Sequence, residues 1–478
     1  MRNKIIFYLN GKKHEVSQDN AGMMLADYLR YEQSLTGTKV VCAEGDCGAC
    51  SVLRYTPYTN NGKDHYLPIN SCIAPLTSLD GSSLVTVDAL KNEDDLHEVQ
   101  KSMIKCHGSQ CGFCTPGFVI ALTGLVEEKL KKSETKIESK EAKNCMTGNL
   151  CRCTGYAPII DAAMTIDLAK CEALKIRFYS EEQDKLLKET FKIPAHIEAT
   201  NFKFYAPKNI SDAVSYLNSH PDVKIIASGT DLGVVHNKRK INLQKLLSLH
   251  LIEELYELTQ MGDEIYLGAR VTHSDFRDYM KDKAPEISNY LDIFASPQIK
   301  NSATVIGNIA TASPIGDTLP VFLTLNAELI IATVNGEKTI PISEFFLSYR
   351  KTQLASNELI KGIKFKLPKG DFKLFKNSNR KDLDISAVNL AINVEWKDNE
   401  KKSIQNVTIA AGGVAAIPLR LKQTENYLKS NPTDINGAIK VLHTEFTPMS
   451  DLRASSAYRH VLVENFVRRF FEEKAGLV

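Results

Sequence analysis

A chain of 478 residues exceeds one ordinary core, and at about 150 residues per domain it should hold about three domains. Hydrophobic residues make up 43% and charged residues 24%, the balance of a globular protein rather than a disordered or membrane-embedded one. The formal net charge of +2 supplies no electrostatic attraction toward nucleic acid or an anionic membrane.

Met1–Leu9 lacks the apolar run of a secretory signal. The longest apolar stretch, Val407–Ile417, is interrupted by Gly412 and Gly413 and falls far short of the ~20 residues that span a bilayer. A cytoplasmic location is therefore expected. All 11 cysteines lie between Cys42 and Cys171, and in a reducing compartment such clustering points to metal binding more than to disulfides.

In chain order, Lys4–Leu9 alternates as a strand, Asn10-Gly11 signals a two-residue hairpin turn, and Lys12–Val16 returns as its partner. Ala21–Gln33 carries a helical pattern through Met24, Leu25, Tyr28 and Leu29. Then follow Cys42, Cys47 and Cys50, with Cys72 further on. The spacing C-x4-C-x2-C plus a distant cysteine is the plant-type [2Fe–2S] pattern, and Gly45 and Gly48 let the loop curl so that backbone N–H groups face sulfur. A structural zinc site favours paired C-x2-C instead.

The second set is Cys111 and Cys114, then Cys151 and Cys153. Each pair precedes a helical segment. Thr115 is read as a cap with Pro116 opening Phe118–Lys131, and Pro158 suits the start of Ala157–Ala169. Two helix N-termini facing one set of thiolates would favour a negatively charged cluster. Cys106, Cys145 and Cys171 read as small apolar residues, His107 as structural, and Lys129, Lys131 and Lys132 as a solvated helix face. Glu182–Phe191 reads as a linker without clear turns or strands. Val223–Ala227 is an apolar strand running into Ser228-Gly-Thr-Asp-Leu-Gly233, a glycine-containing turn that alone reads as a plain surface turn and whose backbone N–H groups could otherwise face a phosphate. Phe294–Asp317 is rich in small and hydroxyl residues, as close approach of backbone to a cofactor requires.

The segments Cys42–Cys50, Gln110–Phe118 and Asn149–Tyr156 together resemble the iron–sulfur half of the xanthine dehydrogenase (molybdenum hydroxylase) family. The likeness continues through Ser313–Asp317, Tyr349–Thr352, Asp384–Ala387, Gly412–Ala415 and Ser450–Ala454. It implies an α+β multidomain chain: a ferredoxin-like β-grasp domain at 1–90, a four-helix [2Fe–2S] bundle at 91–172, a linker at 173–198, an α+β FAD-binding domain at 199–370 and an α+β C-terminal domain at 371–478. It also implies two [2Fe–2S] clusters, on Cys42, Cys47, Cys50 and Cys72 and on Cys111, Cys114, Cys151 and Cys153. The flavin contacts it implies are Ile225, Ile226, Ala227, Ser228, Gly229, Thr230, Asp231, Leu232, Phe294, Thr304, Asn308, Asp317, Ile360 and Lys376. Gln110 would sit beside a molybdopterin held by a partner.

By resemblance, the chain is the small subunit of a split oxidoreductase. It passes electrons from the molybdopterin-binding large subunit through both clusters to FAD and then NAD+ in purine oxidation, within a dimer of small–large pairs. No catalytic residue is expected on this chain. The domain order favours this over carbon monoxide dehydrogenase-like members, many of which place clusters and flavin on separate chains. Two competing readings are another molybdenum hydroxylase acting on an aldehyde or a different N-heterocycle, and a zinc-binding scaffold. Two departures bear on FAD: the family has glycine where Ser228 and Ile306 stand, so a Cβ there is expected to crowd the phosphates or oppose a positive φ.

Overall fold

The computed structural model describes residues 1–58, 63–91 and 95–474. They form two compact units. The first contains Met1–Tyr216, His220–Tyr256 and Ala295–Ala303; the second contains Leu217–Ser219, Glu257–Phe294 and the chain from Thr304 onward. The segment 199–370, expected as one FAD-binding domain, therefore contributes to both units.

In the first unit, Asn10 (φ 52°) and Gly11 (φ 79°) turn Ile5–Leu9 back onto Lys12–Val16, as the Asn-Gly pair predicts. These strands continue into a five-stranded sheet in the order Lys12–Val16, Ile5–Leu9, Ser83–Val85, Ser51–Tyr55, Leu67–Asn70. Four helices follow: Glu98–Lys105, Thr115–Lys131, Ser139–Cys145 and Ala157–Met164. A second sheet orders Ala195–Glu198, Lys203–Ala206, Lys245–Ser248 and Lys224–Ile226. It shares one apolar core with the first sheet, in which Ile5, Phe7 and Leu76 pack with Phe202, Phe204 and Leu246.

The second unit holds a five-stranded antiparallel sheet, ordered Leu258–Met261, Glu264–Gly268, Leu359–Lys366, Glu328–Thr333, Gly336–Pro341. A four-stranded sheet of Asp371–Asn377, Val388–Trp396, Ile404–Gly412 and Leu419–Arg420 completes it. One face of that sheet (Leu390, Ile392, Val407, Ile409) packs on the helices Lys422–Ser430, Ile435–Glu445 and Ser456–Lys474. Val463, Val467 and Phe470 lie buried on one face of the last helix, as their spacing predicts. Among the described residues no helix is long and apolar enough to cross a membrane.

Four local expectations change. Ala21–Gln33 is not one helix: the chain extends at Met24 to pair with Pro75, so that Leu25 N–H reaches Ala74 O at 2.8 Å and Leu76 N–H reaches Met23 O at 3.0 Å. This divides the segment into a 3₁₀ turn at Gln18–Gly22, a short α turn at Leu25–Asp27 and a π turn at Tyr28–Glu32. Glu182–Phe191 is not a featureless linker but part of the helix Glu181–Lys192, capped by Ser180 Oγ on Gln183 N–H. Its Phe191 ring stacks on Tyr58 at 4.0 Å, so burial orders a segment whose composition alone is charged. Thr115 does not cap; its hydroxyl donates to Ser109 Oγ, and Cys114 holds the cap position one residue earlier. Lys129 is buried rather than solvated, its ammonium paired with Glu134 and Glu141, whereas Lys131 and Lys132 face solvent.

Asp80, fully buried, joins the two sheets of the first unit. It accepts Arg2 Nη1 at 2.9 Å, Nη2 at 2.6 Å, Ile6 N–H at 2.8 Å and His250 Nε2 at 3.0 Å. These donors outweigh burial and hold its carboxyl below the usual range. Glu127, on the helix Thr115–Lys131, shows the opposite balance. Burial pushes its carboxyl up to about 7, although Leu174 N–H donates to it at 2.9 Å.

A raised folded pKa means the folded state favours neutral Glu127. That contribution is complete below the unfolded value near 4.5 and is lost as pH rises through about 7. Glu127→Gln, which keeps the acceptor oxygen, should therefore stabilise the protein at pH 8.5 by up to about 3 kcal/mol and far less at pH 5. Urea unfolding at the two pH values measures this, and an equal effect at both would contradict it.

Candidate functional site

The first cysteine loop has almost no regular structure because its backbone turns repeatedly through positive φ, at Ala43 (56°), Gly45 (74°) and Gly48 (68°). Cys50 leads into the strand Ser51–Tyr55, and Cys72 sits in the 3₁₀ turn Ser71–Ile73; both are buried. The four thiols meet: Cys42 contacts Cys47 and Cys72, and Cys72 contacts Cys50. Backbone N–H groups of Glu44 (3.5 Å) and Cys47 (3.4 Å) point at Cys42 Sγ, and Asn70 Nδ2 lies 3.8 Å from Cys50 Sγ. Hydrogen bonds from Cys47 and Cys72 pull Cys42 toward thiolate, and the bond from Cys72 does the same for Cys50. Cys47 and Cys72, as donors to these sulfurs, are pushed up. Ala26, Ile73 and the partly buried Val234 and Ile299 form an apolar shell around Cys50 and Cys72.

The second set also assembles. Cys114 contacts Cys151, and Cys111 contacts Cys153. Cys114 is pushed up to about 12, mainly by burial and then by Cys151. Burial also raises Cys151, but the hydroxyl and N–H of Thr154 outweigh it and lower that thiol. Thr154 N–H lies 3.5 Å from Cys151 Sγ, and Cys151 N–H donates to Tyr156 Oη at 3.0 Å. Cys111, Cys153 and Gln110 are exposed, in contrast to Cys50 and Cys72. Cys145 and Cys171 stand apart from both sets, with burial raising the first and pushing the second up to about 12. Four converging sulfurs with N–H groups aimed at them have the chemistry of a thiolate metal site. Among the described residues, no three His, Cys, Asp or Glu side chains close on one point as a single ion requires.

The two loops touch directly. Leu150 N–H donates to Cys47 O at 3.0 Å, and Asn149 Nδ2 donates to Gly48 O at 3.3 Å. A Cβ on Gly48 would overlap Gly148 O, so only glycine permits this approach. Gln298 Nε2 supports the junction, lying 2.8 Å from Asn149 Oδ1 and 3.2 Å from Ser51 Oγ.

Residues Ile225–Leu232 run from the strand Lys224–Ile226 through a loop into the helix Leu232–Asn237. Gly229 turns the loop at φ 87°, and a Cβ there would lie 2.6 Å from Pro75 Cδ. Neither Ser228 nor Ile306 is at positive φ. Ser228 is buried without backbone strain and Ile306 packs within the helix Val305–Thr311, so the expected conflict with a positive φ does not arise. From the end of the helix that follows the loop, Asn237 Nδ2 donates to Ala43 O and to Cys72 O, each at 2.8 Å, and Lys238 pairs with Glu44.

The remaining expected flavin contacts lie in the second unit. Thr304 caps the helix Val305–Thr311 through Gly307 N–H at 3.0 Å, and Asn308 Oδ1 accepts from Thr318 at 2.7 Å. Lys376 donates to Asp317, to Asp384 O at 3.0 Å and to Ser386 Oγ at 3.0 Å. Asp317 also accepts from Ser386 and from Asn389 at 2.8 Å. These two charges therefore hold each other. Phe294 packs on His273 at 4.7 Å, and Ile360 is buried in the strand Leu359–Lys366. A cavity of about 490 Å³ in this unit is walled by Thr324, Lys364, Asn393 and Thr408, among others, and by none of the expected flavin contacts. Sequence reasoning missed Asn237, Gln298 and Asn149 as members of the junction. Only the Gly148-Asn149 pair beside Cys151 hinted at one.

Four family models match in chain order: a 2Fe-2S iron-sulfur cluster binding domain (residues 7–77), a [2Fe-2S] binding domain (86–164), the FAD binding domain in molybdopterin dehydrogenase (200–369) and the CO dehydrogenase flavoprotein C-terminal domain (373–474). These set aside the zinc-scaffold reading. Xanthine dehydrogenase 1 of Arabidopsis thaliana is 31% identical over 98% of this chain, and xanthine dehydrogenase of Emericella nidulans is 30% identical over 98%. The chain spans 39% and 38% of the lengths of these relatives. In fold it resembles quinoline 2-oxidoreductase from Pseudomonas putida 86 (TM-score 0.53, 22% identity, 57% of this chain and 97% of that one). It likewise resembles carbon monoxide dehydrogenase from Hydrogenophaga pseudoflava (TM-score 0.53, 24% identity, 58% and 96%). The chain belongs to the molybdenum hydroxylase family of oxidoreductases, of which it carries the two iron–sulfur domains and the flavin domains.

Proposed function

We propose that this chain is the electron-transfer subunit of a xanthine dehydrogenase, in a hetero-oligomer with a molybdopterin-binding partner that oxidises hypoxanthine or xanthine. Cys111, Cys114, Cys151 and Cys153 hold one [2Fe–2S] cluster, Cys42, Cys47, Cys50 and Cys72 the other, and the residues assigned to FAD by the family resemblance are Ile225–Leu232 in the first unit and Phe294, Thr304, Asn308, Asp317, Ile360 and Lys376 in the second. When bound, the clusters supply one-electron carriers and the flavin converts single electrons to a hydride for NAD+, in that order from the partner.

The observation that carries this reading is the junction at Gly48 together with Asn237. Leu150 N–H ties the second cysteine loop to the first at Cys47 O, and Asn237 ties the first loop to the helix after the flavin loop. The contacts run from the second cysteine loop to the first and on to the helix Leu232–Asn237, which supports the proposed order. The exposed end of the series, at Gln110, Cys111 and Cys153, faces outward where a partner can dock. Thr154 N–H points at Cys151 Sγ and the backbone N–H groups of Glu44 and Cys47 point at Cys42 Sγ, and donors so placed favour the thiolate, the ligand form. Asn237 keeps the carbonyls on either side of the first set at a constant spacing.

Anaerobic addition of xanthine to this chain with its partner should bleach the flavin and cluster absorbance. Bleaching by dithionite but not xanthine would overturn xanthine as substrate while leaving the cofactors in place. Cys114→Ser should halve the iron content and abolish NAD+ reduction with flavin retained; undiminished NAD+ reduction would break the proposed order. Asn237→Ala should leave iron and flavin content unchanged, alter the electron paramagnetic resonance of one reduced cluster and slow turnover about 10-fold. An unchanged spectrum and rate would remove its positioning role.

A further inference from the structure

The last two helices carry an arrangement that electron transfer does not use. His443 lies in the final turn of Ile435–Glu445, and His460 lies in the second turn of Ser456–Lys474. Their Nδ1 atoms are 3.3 Å apart. On the far side of His443, Nε2 lies 2.8 Å from Glu464 Oε2, and the other oxygen of Glu464 accepts from Arg468 Nε at 2.8 Å. The His460 ring stacks on Phe446, with centroids 4.7 Å apart and planes 18° apart, which holds its orientation.

Glu464 selects the tautomer of His443. With the proton on Nε2 and donated to the carboxylate, the Nδ1 lone pair faces His460. A tetrahedral ion with metal–nitrogen bonds of about 2.0–2.1 Å sets two ligand nitrogens about 3.3–3.4 Å apart. The observed spacing matches that edge. A carboxylate on the outer nitrogen of a histidine is also the usual outer-shell support of a metal-binding imidazole. The carbonyl end of Ile435–Glu445, beside His443, adds a field that favours a cation. His443 is 37% exposed at its side chain, so an ion can reach it from solvent.

We propose that His443 and His460 are the two protein ligands of a surface site for one divalent transition-metal ion of the zinc class, with Glu464 as its positioning residue. Among the described residues no third His, Cys, Asp or Glu completes a ligand set, so water fills the other two positions. Bound there, the ion cross-links the two helices that close the C-terminal sheet.

The test is equilibrium dialysis of tag-free protein, with clusters and flavin intact, against zinc ions, with zinc and iron counted in the same sample. The wild type should bind one more zinc per chain than His460→Gln or His443→Gln at equal iron content. Glu464→Gln should need about 10–100-fold more free zinc to fill the site. Two variants on separate helices keep the result readable if one of them folds poorly. Equal zinc in the wild type and either well-folded histidine variant overturns the proposal, as does a wild type that binds none.

Discussion

Backbone meets backbone at Gly48, and the relation between the two cysteine loops depends on that approach. The residue sits at φ 68° with Gly148 O where a Cβ would be. Its missing side chain lets Leu150 N–H reach Cys47 O, so one loop's backbone completes the hydrogen bonding of the other. A Cβ there would lie 2.2 Å from Gly148 O, so any other residue forces the loops apart. The two sheets share a core, and the buried Asp80 joins them through Arg2, Ile6 and His250.

Around that contact the junction is polar rather than apolar. Asn149 and Asn237 give directed bonds to the backbone carbonyls of Gly48, Ala43 and Cys72, Gln298 steadies Asn149 through its side-chain oxygen, and a buried carbonyl left without a partner is costly. Directed bonds also define distance more narrowly than apolar packing does. That suits a protein whose work is to keep redox groups at constant separation. The apolar shell of Ala26, Ile73, Val234 and Ile299 has a different task, excluding water from Cys50 and Cys72.

Features written in short stretches of sequence were legible. The Asn10-Gly11 hairpin, the apolar face of the last helix and the spacing of both cysteine sets each rest on neighbouring residues, so local rules sufficed. Long-range features were not. Met24 leaves the helical pattern because it bridges to Pro75, and Glu181–Lys192 becomes ordered because Tyr58 and the shared core await Phe191. Lys129 has the composition of a surface residue, yet Glu134 and Glu141 fold back over it. Asp317 and Lys376, 59 residues apart in sequence, form one buried pair that no local rule foresees.

The chain alone determined which thiols assemble, because cluster geometry demands cysteines at short spacings on tight, glycine-permitted loops. The families of domain followed from the resemblance that its motifs carry. Only the tertiary structure decided how these pieces meet. The bonds from Asn237 span 194 and 165 residues of sequence, and neither carbonyl they reach differs chemically from any other carbonyl in the chain. A backbone acceptor becomes specific only by where folding places it, and that position is set by the packing of the whole unit rather than by any local pattern of side chains.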